Sequence, residues 1–188
     1  MSLFMSTKSL ADLYQEIIEK IDPYHSRKGL EKTPLRAEKA ILEMTSGYHE
    51  SIDESIENAL YPAPSSELVT VKNIDFFSLC EHHMLPFYGH VHIGYIPNHQ
   101  IIGLSKIPRI VEHYAKRLQL QEQLTSQIAK ALLKYTNAQG VAVISVASHL
   151  CMQMRGIKKK GAQMQCSSYL GVFKNAEMKQ EFLTNLLI

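Results

Sequence analysis

The chain has 188 residues, 45% of them hydrophobic and 20% charged, with a formal net charge of +2. That is long enough for one domain with a sizeable core and a small helical extension, and too nearly neutral for a general electrostatic grip on nucleic acid. No run approaches the roughly 20 apolar residues of a membrane-spanning helix, and no secretory leader pattern is visible. The three cysteines, an odd number, argue against a disulfide framework and for a reducing, cytoplasmic setting.

The first part reads as helical. In SLADLYQEIIEKI, Leu10, Leu13, Ile17, Ile18 and Ile21 recur near helical spacing. KTPLRAEKAILEMTSGY opens a second helix, with Thr33 as N-cap and Pro34 at the first helical position. Leu35, Ile41 and Met44 are expected to turn toward a core. YPAPSS, residues 61 to 66, is a breaker stretch. It sets the expected boundary between a helical extension, 1–60, and a main domain, 61–188.

ELVTVKNIDFF and YGHVHIGYI alternate as strands, and IIGLS is expected to return after the PNHQ turn as a hairpin partner. Ser105 is placed to cap a helix with Pro108 in its first turn and Ile107, Ile110, Val111, Tyr114 and Leu118 at helical spacing. A further helix runs through QEQLTSQIAKALLKY, with Leu124, Ile128, Leu132 and Tyr135 inward. GVAVISVASHLCMQMRG reads as one long strand, SSYLGVF as another, and AEMKQEFLTNLL as a closing helix. This order makes an α+β fold with an antiparallel sheet.

Chemistry concentrates at two places. Cys80 and His83 in SLCEHH stand at CxxH spacing, half of a zinc site. If residues 141 to 155 form one strand, side chains two apart share a face. The even positions, Ala142 to Met154, are almost wholly apolar, whereas the odd ones end in His149, Cys151, Gln153 and Arg155. That makes Cys151 the natural third ligand, with Cys166 as a rival. A fourth ligand from His82, His149 or His90 would close the site as a structural one; water in that place would leave it open and catalytic. Lys106 and Arg109 add cations to a helix N-terminus, which already favours phosphate. Arg155, and Arg36 with Lys39, are placed to converge on the same anion; the plainer alternative is a solvated basic face.

SLCEHHMLPFYG, VHIGYIP, IIGLSKIPRIVEHYAKRLQLQEQLTSQIA, SHLCMQMRG and YLGVF, together with GLEKTPLRAEKAILEMTSGY, closely resemble GTP cyclohydrolase I over about residues 27 to 187. The resemblance implies the tunnelling fold: a four-stranded antiparallel sheet with two helices, preceded by N-terminal helices. It implies a ring homo-oligomer, a decamer of two pentamers, in which neighbours cover exposed sheet edges. It implies a zinc-dependent hydrolase that converts GTP and water to formate and 7,8-dihydroneopterin triphosphate, the entry to tetrahydrofolate biosynthesis. Cys80, His83 and Cys151 match the family's zinc positions. His149 matches the histidine that protonates the purine N7, His82 a second catalytic histidine, and Ser105 a serine near the ribose. Glu122 matches the carboxylate that reads guanine, and Gln121 beside it is expected to add backbone contacts to the substrate. Lys106, Arg109 and Arg155 match triphosphate ligands, and Arg36 and Lys39 are expected to reach a neighbouring subunit's site. The chain departs from the family pattern at His90, where Lys is usual, at Lys28, where an acid is usual, and in GAQMQCSS, commonly richer in Thr and Ser.

Overall fold

The computed structural model describes residues 8–187. The chain divides into two compact units, one ending at Thr45 and the other beginning at Ser46.

In the first unit, α1 (Leu10–Ile21) and α2 (Thr33–Met44) pack on each other. A capping box starts α1. The Ser9 Oγ accepts from the Asp12 N–H at 3.1 Å while the Asp12 carboxylate accepts from the Ser9 N–H at 2.9 Å. In α2 the cap position falls to Lys32, which makes no side-chain cap, so Thr33 is helical and not the N-cap expected of it. Much of the apolar stripe on each helix is exposed. Leu10, Leu13, Ile17 and Ile21 on α1 are exposed, and so are Leu35, at 64%, and Met44 on α2.

The second unit holds α3 (Asp53–Glu57), α4 (Lys106–Ala115), α5 (Gln121–Thr136), α6 (Leu150–Gln153) and α7 (Ala176–Leu187). Its strands are β1 (Leu60–Pro62), β2 (Val69–Cys80), β3 (Pro86–Ile96), β4 (Gln100–Ile102), β5 (Leu118–Gln119), β6 (Gly140–His149) and β7 (Met164–Gly171). The main sheet has the order β5-β2-β3-β6-β7. Its four long strands are antiparallel neighbours, and the two-residue β5 adds a short parallel edge. β4 does not return as a hairpin partner of β3; it pairs with β1 in a separate two-stranded sheet. The YPAPSS stretch therefore begins inside a strand of this unit, well after the division at Thr45.

The core lies mainly on one face of the sheet. There Val141, Val143 and Ala147 of β6 and Phe87, Val91 and Ile93 of β3 meet Ile107, Ile110 and Val111 of α4 and Leu124, Ile128 and Leu132 of α5. On the other face, Ala142 and Ile144 meet Phe173 and Phe182, the latter from α7. β6 is thus covered on both sides, which is why both parities of GVAVISVA are apolar. The alternation of β2 is interrupted by a bulge between Val71 and Ile74, where Asn73 takes a left-handed φ of 56°. Beyond the bulge, Ile74, Phe76, Ser78 and Cys80 turn inward.

Candidate active site

β2 ends at Cys80 and β3 begins at Pro86, and the chain between them winds around the Cys80 backbone. The Cys80 carbonyl accepts from the N–H of His83 at 3.2 Å and of Met84 at 2.7 Å, while the Cys80 N–H donates to Leu85 O at 2.9 Å. Met84 closes this turn with a left-handed φ of 54°. The result is that the His83 ring comes back to the thiol it follows, with Cys80 Sγ and His83 Nδ1 3.9 Å apart. The Glu81 N–H donates to Gln119 O at 3.1 Å, which ties the turn to β5.

The third group arrives from across the sheet. Phe87 of β3 is paired with His149 of β6, so the end of β6 lies beside the start of β3. The strand stops at His149, and residues Leu150–Gln153 form a single helical turn. Residues 141 to 155 are therefore not one strand, and the shared face expected for His149, Cys151 and Arg155 does not exist. The helical turn instead carries Cys151 to the hairpin. The ligand atoms of Cys80, His83 and Cys151 all lie within 4.8 Å of one another. In tetrahedral zinc sites, with Zn–S near 2.3 Å, ligand sulfurs sit about 3.8 Å apart. Two thiols and an imidazole form a borderline-soft N/S set of the kind zinc takes. Cys80 is buried, Cys151 half-buried and His83 exposed, so the group opens to the surface of the chain. Burial pushes the Cys151 thiol up, the Cys80 thiol beside it adds to that, and Arg155 pulls the other way. A bound cation would reverse this balance, because a coordinating thiol loses its proton. The rivals stand elsewhere: Cys166 is paired with Ser145 in mid-strand, and His90 with the Asp75 carboxylate at 2.8 Å.

His149 is half-buried on the helix-packed face, not on a face turned away from the core. Its ring stacks on Phe87 at 4.7 Å between centroids, 3° from parallel. Its Nε2 lies 2.8 Å from Gln121 Oε1. Burial lowers its pKa below the usual imidazole value, and the Glu122 carboxylate, near enough to act on it, opposes that shift. Glu122 stands exposed in the first turn of α5, and its charge reaches Cys166 as well. His82 is exposed, its ring edge-on to His83 at 6.1 Å. Ser105 holds the cap position of α4 without capping it, and Lys106 and Arg109 follow in the first turn. Arg109 also borders a recess of about 280 Å³ lined by Glu50, Ser51, Ile52, Glu112, His113 and Lys116. Arg155 is exposed just beyond the metal-type group. Arg36 and Lys39 are exposed on α2, in the first unit.

Sequence reasoning did not single out Phe87, Ser145 or Thr125. Ser145 carries a legible signal, a hydroxyl inside the apolar run VAVISVA, and Thr125 stands one helical turn after Gln121.

Residues 10–187 match the family model for GTP cyclohydrolase I. The chain is 51% identical over 172 residues to the GTP cyclohydrolase 1 of Methylococcus capsulatus, covering 91% of this chain and 93% of that one. It is 52% identical over 159 residues to the GTP cyclohydrolase 1 of Dictyostelium discoideum, covering 84% of this chain and 68% of that one. A solved structure, an archaeosine synthase QueF-Like in the apo form, is similar over 58% of this chain and 96% of that one, with a TM-score of 0.48 and 20% identity.

Proposed function

This chain belongs to the GTP cyclohydrolase I family and is an enzyme of that kind; on that ground we propose that it converts GTP and water to formate and 7,8-dihydroneopterin triphosphate, with zinc held by Cys80, His83 and Cys151. The observation that carries the reading is the convergence of those three donors within 4.8 Å. It is supported by His149, two residues from one of the ligands, its ring gripped by Phe87 and Gln121. When bound, zinc supplies Lewis acidity that brings a water toward ionisation near neutral pH.

The chain's own residues then divide the work. His149 holds the proton delivered to the purine N7 as the imidazole ring opens, and His82 serves as a second proton carrier beside the metal ligands. Glu122 accepts from the guanine N1–H and exocyclic amine, a pattern adenine cannot offer. Ser105 acts near the ribose in the later rearrangement. Lys106, Arg109 and Arg155 hold the triphosphate, with the α4 N-terminus adding its partial positive charge. Arg36 and Lys39 complete the site of a neighbouring subunit.

The same reading places the long antiparallel strands with α4 and α5 in the tunnelling fold and the chain in a decamer of two pentamers. The exposed apolar stripes of α1 and α2 support assembly, since contiguous apolar surface of this kind usually marks a contact. Among the described residues no helix is long and apolar enough to cross a membrane. The setting proposed is cytoplasmic, at the first step of tetrahydrofolate biosynthesis. Incubating zinc-loaded protein with GTP tests the whole: formate and the pterin absorbance should rise together and both should stop on chelation. A folded, zinc-loaded protein that makes neither would overturn the reading in favour of a structural metal.

A further inference from the structure

The environment of Gln121 determines which way its side-chain amide faces. Gln121 is 1% exposed, and its Nε2 lies 3.0 Å from Met164 O and 3.2 Å from Ser145 O. Both are backbone carbonyls, which only accept, so the NH₂ end must face them. The Oε1 end is then an acceptor, and it is this atom that lies 2.8 Å from His149 Nε2. An acceptor there requires His149 to donate from Nε2.

The surrounding hydroxyls close the network without a spare proton. Thr125 Oγ1 donates to Gln121 O at 2.7 Å, so across its 2.7 Å contact with Ser145 Oγ it accepts. Ser145 Oγ, having donated to Thr125, accepts from Gln121 Nε2 at 3.0 Å, so the two amide hydrogens serve three acceptors, one of them shared between Ser145 O and Ser145 Oγ. Gln121, Thr125 and Ser145 are all buried, and each of their side-chain polar atoms finds a partner within the protein. β6, β7 and the first turn of α5 are joined through this one side chain.

We propose that Gln121 is a positioning residue that locks His149 in the Nε2–H tautomer, so that Nδ1 is the nitrogen that exchanges a proton with the substrate. The role differs from that of its neighbour Glu122, which faces the solvent and reads the base. It rests on the catalytic reading of His149 above, but the tautomer itself is observable without turnover.

The test is nitrogen NMR on zinc-loaded protein labelled at histidine, with the His149 signal identified by its absence in His149→Ala. Near pH 8, Nε2 should appear protonated and Nδ1 bare. A wild-type spectrum with the proton on Nδ1 would overturn the proposal outright, and it needs no variant to fold. Gln121→Met removes the acceptor at nearly constant volume. It should leave His149 a mixture of tautomers and lower kcat on the order of 10²-fold with little change in KM. Gln121→Glu keeps an acceptor for Nε2–H but sets it against two carbonyls. A positioning role predicts that Gln121→Glu, although the less stable variant, retains the wild-type tautomer and more turnover than Gln121→Met. A merely structural role predicts the reverse order, with activity following thermal stability. Wild-type protein with the Nε2–H tautomer but no GTP turnover would instead sink the catalytic reading alone.

Discussion

Gly89 is where a single methyl group should do the most damage to the site. It sits on β3 opposite Ala147 of β6, two residues from the Phe87–His149 pair. A Cβ on Gly89 would lie 2.8 Å from Ala147 Cα and closer still to the Val146 carbonyl oxygen, both backbone atoms that cannot swing aside. Carbon–oxygen contacts relax at about 3.3–3.6 Å, so β3 and β6 must part there by on the order of 1 Å. The β2–β3 hairpin carries Cys80 and His83, while β6 leads into Cys151, so parting these strands pulls the metal-type group open. Strained ladder hydrogen bonds at about 0.5–1.5 kcal/mol each, added to overpacking of about 1–3 kcal/mol, give a loss of about 2–5 kcal/mol. For a chain of this size that is a Tm about 5–15 °C lower. Zinc affinity should fall about 10–100-fold, as it does when the support of a ligand is disturbed. Calorimetry of Gly89→Ala, with zinc titrated against a chromogenic chelator, reads both quantities. Gly161→Ala is the control, since nothing lies within 4 Å of that Cβ, and it should stay within about 0.5 kcal/mol of wild type. If Gly89→Ala matches the control in Tm and zinc binding, the close approach of β3 and β6 is not what holds the site.

Other substitutions separate the ligands from their rivals. Cys151→Ala should bring bound zinc, measured by elemental analysis, to near none per chain, whereas Cys166→Ala should leave it unchanged; equal loss in both would break the ligand assignment. Glu122→Gln should raise KM for GTP about 10–100-fold, the worth of hydrogen bonds to a charged acceptor, while costing at most about 1 kcal/mol of helix-terminus stabilisation. An unchanged KM would remove Glu122 from base recognition. Stability should also fall with acid. Burial chiefly lowers the pKa of His92 and His113 in the folded chain, helped by His90 beside the first and Arg117 beside the second. The unfolded chain then binds more protons below about 6.5, so this stability is complete above that pH and is lost as pH falls through it toward the folded values. The Tm drop between about pH 7.5 and about pH 5.5 should shrink in His92→Asn/His113→Gln, and a drop of the same size in that variant would refute the assignment.

Local signals carried a large part of the result. The CxxH spacing of Cys80 and His83 survives in the turn because it depends only on a few consecutive backbone dihedrals. The stripe of Leu124, Ile128 and Leu132 reads as a buried helix face because 3.6-residue periodicity is written into adjacent sequence. Strand parity points to Cys151, but that parity does not extend so far: the strand ends at His149, and a helical turn delivers the thiol instead. Both parities of β6 are apolar because Phe173 and Phe182 cover one face while α5 covers the other, and no window of sequence reports what lies across a sheet. The pairing of Phe87 with His149 and the orientation of the Gln121 amide are likewise decided by tertiary contacts. Gln121, Ser145 and Met164 are far apart along the chain, and only the packing of α5 on β6 and β7 brings two carbonyls to one amide and so assigns a proton to one nitrogen of a ring.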